Sequence, residues 1–223
     1  MQKQSTQLRA VVFDLDGLMV NTEEMYIEVG HRLLEPWGLA YDDELRHRMM
    51  GLPAHAALEL MIDYHQLDIT LNDLAERSTV LVDEQIAVRL QAMPGLHVLL
   101  DWLQANEIPK AIATSGTRDY ARHIVERLNI AHHFQFILTA EDVLHGKPNP
   151  EVYLLAAKRL DLRSAEMMVL EDSENGCRAA VAAGAFTVAV PGDHNQGQSF
   201  PGVQFIAETL LDPKITQAFW PNQ

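Results

Sequence analysis

Two carboxylates, Asp14 and Asp16, stand two residues apart at the end of a short apolar run, Ala10-Val11-Val12-Phe13, and Gly17 closes the stretch. Acids this close repel unless a cation or a shared proton relieves them. A Mg²⁺ ion does so, because it takes one or two carboxylates together with water and phosphate oxygens. The pair therefore points to metal-assisted phosphoryl chemistry, with a solvated turn after an edge strand as the alternative. A calcium loop does not fit. An EF-hand needs Gly at its sixth position and an acid at its twelfth, whereas Gly17 falls at the fourth and Met25 at the twelfth.

Three later stretches carry the other groups such chemistry needs: Thr114-Ser115-Gly116, Gly146-Lys147-Pro148 and Glu171-Asp172-Ser173. Phosphoryl transfer requires an in-line nucleophile, neutralisation of the equatorial oxygens and a proton for the leaving group. Asp14 is the candidate nucleophile, forming an aspartyl-phosphate. Asp16 is the candidate acid/base, protonating the leaving oxygen and later activating water. Thr114, with the backbone N–H groups of Ser115 and Gly116, offers donors to phosphoryl oxygens. Lys147 offers positive charge on a backbone restrained by Pro148. Glu171 and Asp172 are the remaining metal-binding candidates, with Glu171 open between ligand and outer support.

The elements that must position these residues follow from the hydrophobic pattern. Ala10 to Phe13 has the length and β-branched content of a buried strand. From Thr22 to about Leu90 the signals are helical, with Asn21 or Thr22 as the expected cap of the first helix. One stripe is Met25, Val29, Leu33 and Leu34, and a second is Leu45, Met49 and Met50. A third is Leu58, Met61 and Ile62, and a fourth is Leu74, Leu81, Val82 and Ile86. After Met93-Pro94-Gly95 helix and strand alternate, with strands at 110–114, 136–138, 167–170 and 186–190 and helices at 96–105, 120–128, 151–160 and 175–183. Alternation of this kind predicts a doubly wound parallel sheet with helices on both faces. The expected organisation is an α/β core of residues 1–22 and 93–223 and an inserted helical domain of 23–92. In open parallel sheets ligands bind beyond the carboxyl ends of the strands. Asp14, Asp16, Thr114, Glu171 and Asp172 all follow expected strands, and Lys147 precedes a helix between two of them.

Composition narrows the partners. The chain has 223 residues, 48% of them hydrophobic, and a net charge of -14. That charge argues against nucleic acid and anionic membranes and leaves room for a small anionic substrate in a cleft where a lysine and a metal reverse the local field. The single cysteine, Cys177, rules out an internal disulfide and reads as a small packing residue. Met1 to Arg9 lacks the apolar core of a signal peptide, and no apolar run approaches membrane-spanning length. The expectation is a cytoplasmic protein acting on a small phosphorylated metabolite, with its oligomeric state open and a monomer favoured.

Phe13-Asp14-Leu15-Asp16-Gly17, Ala113-Thr114-Ser115-Gly116, Gly146-Lys147-Pro148-Asn149-Pro150 and Leu170-Glu171-Asp172-Ser173-Glu174-Asn175-Gly176, in this order and spacing, resemble the haloacid dehalogenase-like hydrolase superfamily. The helical insert resembles the cap shared by phosphoglycolate phosphatases and β-phosphoglucomutases. The resemblance implies Mg²⁺ bound by the Asp14 side chain, the Asp16 backbone carbonyl and Asp172, with Asp14 as nucleophile and the cap as a lid. Dehalogenating relatives lack the acid at the position of Asp16, so its presence favours phosphate chemistry. The mutases carry a cap-helix histidine where this chain has Tyr26, and a phosphate-gripping arginine near Ala54. Neither is present, which favours a monophosphate phosphatase over a mutase that must hold a bisphosphate. Phosphonate-cleaving relatives need a cap lysine, and none lies between Thr22 and Leu90. The cap loop is similar to that of phosphatases acting on pseudouridine 5′-phosphate and on sugar phosphates. His55, in that loop, is a candidate substrate contact or a solvated surface residue. Trp37, Met49, Met50 and Met61 read as cap packing. A phosphosugar mutase and a catalytically silent binding protein are the rival functions.

Overall fold

The computed structural model describes residues 7–49, 52–195 and 197–220. The chain forms two compact units, one made of the segments up to Val20 and from Ala92 onward, the other of Asn21–Gln91.

The first unit is built on a six-stranded sheet. Its central strand β1 (Ala10–Phe13) pairs in parallel with β2 (Lys110–Ala113) on one side and β4 (Met167–Glu171) on the other. The strand β3 (Ile137–Leu138) extends the sheet beyond β2, while β5 (Phe186–Ala189) and β6 (Phe205–Ile206) extend it beyond β4, giving the order β3-β2-β1-β4-β5-β6. All five pairings are parallel. A parallel sheet of this kind is covered on both faces, which is why its strands read as unbroken apolar runs. Every residue of β1, β2 and β4 is buried.

Five α-helices belong to this unit among the described residues: α5 (Leu96–Ala105), α6 (Arg118–Arg127), α7 (Glu151–Arg159), α8 (Glu174–Ala182) and α9 (Pro213–Gln217). On one face of the sheet, Val12, Ala111, Ala113, Met167 and Val169 pack with Val152, Tyr153, Ala156 and Ala157 of α7 and with Ala179 and Ala180 of α8. The alternate residues of a strand share a face, and the alanines let both helix backbones approach it closely.

Two helices start earlier than the apolar pattern suggests, for reasons of capping. The Thr117 hydroxyl accepts from the Tyr120 N–H at 3.4 Å, which starts α6 at Arg118 rather than Tyr120. The Ser173 hydroxyl accepts from the Gly176 N–H at 3.1 Å and starts α8 at Glu174. The short elements β6 and α9 escape the sequence reading because neither is long enough to show a period.

The second unit contains α1 (Thr22–Leu34), α2 (Asp43–Met49), α3 (Ala54–His65) and α4 (Leu71–Arg89). Val29, Leu33, Leu34, Leu45, Leu58, Met61 and Leu74 form its core, with Trp37 and Met49 packed against it. Met50, expected in this packing, and Gly51, in the expected cap loop, lie outside the described residues. His55 is not a loop residue: Pro53 occupies the N-cap position, so α3 has begun by Ala54, and His55 is exposed in its first turn. Asn21 occupies the N-cap position of α1 but makes no cap bond. Its side chain instead donates to the Arg89 carbonyl at 3.1 Å and accepts from the Gln91 N–H at 2.8 Å. In the α/β unit Val20 forms an antiparallel bridge with Ala92, and the Met93 N–H donates to the Met19 carbonyl at 2.8 Å. Among the described residues no helix is long and apolar enough to cross a membrane.

Candidate active site

The ladder of the sheet carries Asp14, Thr114 and Glu171 to one level. The Asp14 N–H donates to the Leu170 carbonyl at 3.0 Å and the Thr114 N–H to the Leu138 carbonyl at 3.0 Å, each one residue beyond its strand, while Glu171 is the last residue of β4. Gly17, at a φ of 76°, then turns the chain so that its N–H donates to the Val20 carbonyl at 3.0 Å, holding the residue before it, Asp16, at the sheet edge.

Lys147 lies among these acids with its side chain only 7% exposed. Its ammonium donates to Asp14 Oδ1, to Glu171 Oε1 at 2.7 Å and to the Ala113 carbonyl at 2.9 Å, and it sits 5.3 Å from the centre of the Tyr153 ring. An ammonium has three protons, so all three are used within the protein. Burial alone would lower its pKa, but the charges of Asp14 and Glu171 prevail and hold Lys147 protonated above the usual lysine range. The peptide bond between Lys147 and Pro148 is cis.

Glu171 is fully enclosed, and both of its oxygens have partners within the protein. Oε1 accepts from Lys147 and, at 2.6 Å, from the Tyr153 hydroxyl. Oε2 accepts from the Ser173 N–H at 3.3 Å and from its hydroxyl at 3.1 Å. A carboxylate offers about four lone-pair sites, and four donors meet this one. Burial, followed by the neighbouring Glu171 and Asp14 charges, pushes the Tyr153 phenol far up, so it remains a donor. Gly176, one turn into α8, faces this carboxylate so closely that a β-carbon there would overlap the Glu171 side chain. Gly176→Ala is therefore expected to displace Glu171, destabilising the fold by about 1–3 kcal/mol, measurable as a lower midpoint in urea unfolding. Cys177 beside it is buried, and burial with the Glu171 and Asp172 charges pushes its thiol well up, as suits a packing residue.

The remaining acids form the polar centre. Asp14, Glu171 and Asp172 are all buried and place one oxygen each within 4.8 Å of one another. Burial raises the Asp14 pKa well above the carboxylate range; Lys147 opposes this, and Glu171, Asp172 and Asp16 add to it. One ammonium thus faces more negative charge than it offsets, and every donor atom in the group is a carboxylate oxygen. Such a set fits a hard divalent cation.

Asp16 is half-buried at the rim. Its Oδ1 accepts from the Tyr120 hydroxyl at 2.5 Å and its Oδ2 from the Thr114 hydroxyl at 3.3 Å. The Gly116 N–H donates to the Thr114 hydroxyl at 2.9 Å, and Ser115 is exposed at the turn. The structure thus brings Asp14, Asp16, Thr114, Lys147, Glu171 and Asp172 to one edge of one unit, with Ser115 and Gly116 on the adjoining turn. His55 belongs to the other unit. Sequence reasoning placed Ser173 at the sheet edge without a role and missed two hydroxyls that organise these groups, those of Tyr120 and Tyr153. Ser173 had a visible signal as the residue before a helical run; a tyrosine inside an amphipathic helix has none.

Residues 11–190 match the haloacid dehalogenase-like hydrolase family. The chain is 31% identical over 177 residues to the phosphorylated carbohydrates phosphatase of Thermotoga maritima, a span of 79% of this chain and 82% of that protein. It is 32% identical over 221 residues to the validoxylamine A 7′-phosphate phosphatase of Streptomyces hygroscopicus subsp. limoneus, covering 96% and 97% respectively. Among solved structures, the β-phosphoglucomutase of Clostridium difficile shares the fold, with a TM-score of 0.78 over 95% of this chain and 97% of that one at 22% identity. The matched span takes in all four acidic, hydroxyl and lysine stretches of the sheet edge, and the chain belongs to the haloacid dehalogenase-like hydrolase family, among its phosphoric monoester hydrolases.

Proposed function

We propose that the protein hydrolyses a small phosphomonoester, of the sugar phosphate or nucleoside monophosphate kind, through an aspartyl-phosphate on Asp14. The observation that carries this reading is the gathering of a nucleophile-competent carboxylate, a second carboxylate, a hydroxyl and a lysine around three buried acids at the carboxyl edge of the sheet.

One oxygen of Asp14 attacks phosphorus as the ester oxygen leaves, and Asp16 delivers a proton to that oxygen. The Asp16 carboxylate then takes a proton from water, which attacks phosphorus, releases inorganic phosphate and restores Asp14. Lys147 orients Asp14 by its direct bond and contributes charge near the phosphoryl oxygens. Thr114 turns its hydroxyl from Asp16 to a phosphoryl oxygen as substrate enters, with the N–H of Ser115 beside it. Asp14, Asp172 and the Asp16 carbonyl would hold Mg²⁺, and Glu171 keeps Lys147 and the turn at Ser173 in place. Bound Mg²⁺ supplies positive charge against the phosphoryl oxygens and the surrounding carboxylates. The helical unit of Asn21–Gln91 corresponds to the cap that the family resemblance implies, and His55 belongs to it.

The test is phosphate release from fructose 1-phosphate, glycerol 3-phosphate, pseudouridine 5′-phosphate and phosphoglycolate, with Mg²⁺ and with EDTA. The expected result is release from at least one alkyl phosphate, falling by about 100-fold or more on chelation and recovering when Mg²⁺ is restored. Mg²⁺ binding seen by calorimetry is expected to disappear in Asp172→Asn. Release indifferent to chelator overturns the metal assignment, and interconversion of sugar 1- and 6-phosphates faster than release overturns the phosphatase in favour of a mutase.

A further inference from the structure

Tyr120 is the third residue of α6, a helix whose start is held firmly. The Arg118 N–H donates to both carboxylate oxygens of Glu141 at 3.1 Å, the Arg118 guanidinium reaches Asp142 at 3.4 Å, and Thr117 caps the helix. From this base the Tyr120 hydroxyl meets Asp16 Oδ1 at 2.5 Å, across 104 residues of sequence. The route of the ring explains a glycine. A β-carbon at Gly116 would come to 2.8 Å from Tyr120 Cδ1 and 3.3 Å from Thr114 Oγ1. Gly116 has no positive φ that would demand glycine for the backbone. The position lacks a side chain because the tyrosine ring crosses it.

The two oxygens of Asp16 are held differently. Oδ1 meets a phenol on a rigid ring, anchored by a helix. Oδ2 meets, at the longer distance of 3.3 Å, the rotatable hydroxyl of Thr114, which under the reading above turns to the phosphoryl group. We infer that Tyr120 is a positioning residue that fixes Asp16 through Oδ1, so that Oδ2 is the oxygen that exchanges its proton with the leaving group and then with water. The inference rests on the phosphatase reading with Asp16 as acid/base. A carboxylate on one rotatable arm, repelled by Asp14 two residues away, gains most from such a hold, because proton transfer requires a defined donor position.

The experiment is Tyr120→Phe, which keeps the ring over Gly116 and removes only the hydroxyl. kcat/KM is measured on p-nitrophenyl phosphate, whose leaving group needs little protonation, and on the best alkyl phosphate of the panel above, whose leaving group needs it fully. The expected result is a loss of about tenfold on the alkyl ester and less than about twofold on the aryl ester. In an Asp16→Ala background, Tyr120→Phe is expected to cost less than about twofold further on either. Equal loss on both esters, no loss on either, or the same fractional loss without Asp16 overturns the inference and leaves the phosphatase standing. Wild-type protein releasing phosphate from neither ester, or Asp16→Ala losing both esters equally, overturns the acid/base reading itself and the inference with it.

Discussion

Asp14→Asn is expected to reduce phosphate release by at least about 10⁴-fold, because the proposed covalent step has no other nucleophile. The same substitution is expected to leave the melting temperature unchanged or raised. Burial holds the Asp14 carboxyl well above its ordinary pKa, and Glu171, Asp172 and Asp16 add to that elevation. The fold thus maintains a carboxylate whose charged form it disfavours. A neutral amide of the same shape relieves that conflict, and Lys147 keeps Glu171 and the Ala113 carbonyl as partners. Loss of activity with retained or increased stability marks a residue kept for chemistry. Thermal unfolding followed by circular dichroism, beside the phosphate assay, checks both halves. Asp14→Asn protein that turns over more than a trace of substrate refutes the nucleophile assignment, and a marked drop in melting temperature refutes the account of its burial.

Glu171→Ala is expected to give the opposite pattern at the same sheet edge, with the larger effect on stability. Removing this carboxylate takes the acceptor from the buried Tyr153 hydroxyl, from Ser173 and from one proton of Lys147. Breaking a buried ion pair from one side typically costs about 3–5 kcal/mol. For a chain of this size that corresponds to a fall in melting temperature of roughly 6–20 °C. Glu171→Gln keeps the acceptor geometry on one oxygen and is expected to fall between the two. A Glu171→Ala protein melting within about 2 °C of wild type would show that its four donors find other partners, and Glu171 would lose its place as the organiser of the lysine and the turn.

Much of this site is legible in the sequence because its residues follow strands. Ala10 to Phe13 has the length and β-branched content of a buried strand, so whatever follows Phe13 is expected at a sheet edge. The same holds for Thr114 after Ala113 and for Asp172 after Glu171. The hydrogen bonds between those residues are a different matter. Glu171 and Asp172 are adjacent acids of similar type, yet the four donors that enclose Glu171 could not be read from its position. Those donors come from Tyr153, Ser173 and Lys147, which approach from three separate segments. Likewise Gly116 in its turn and Gly176 near the start of its helix carry no sign of a partner in the sequence, but each marks a side chain from elsewhere passing through its space: Tyr120 over one, Glu171 against the other. A sequence shows that a side chain is missing at such a point; only the folded chain shows what fills the gap. His55 lies in α3 because the helix begins directly after Pro53, which stands at the N-cap position and makes no side-chain cap bond.

The pairing of β1 has a consequence for how the protein is made. Phe13 lies between Ile112 on one side and Leu170 on the other, so the strand that presents Asp14 is assembled from three distant parts of the chain. During synthesis the first partner follows the helical segment, and the second emerges only with residues 167–171. Until then one edge of four fully apolar residues is left without its neighbour, the kind of surface that recruits other chains. Truncations ending before β4 are therefore expected to yield insoluble protein, and folding of the α/β unit is expected to be slow for its size, since its central contacts close long loops.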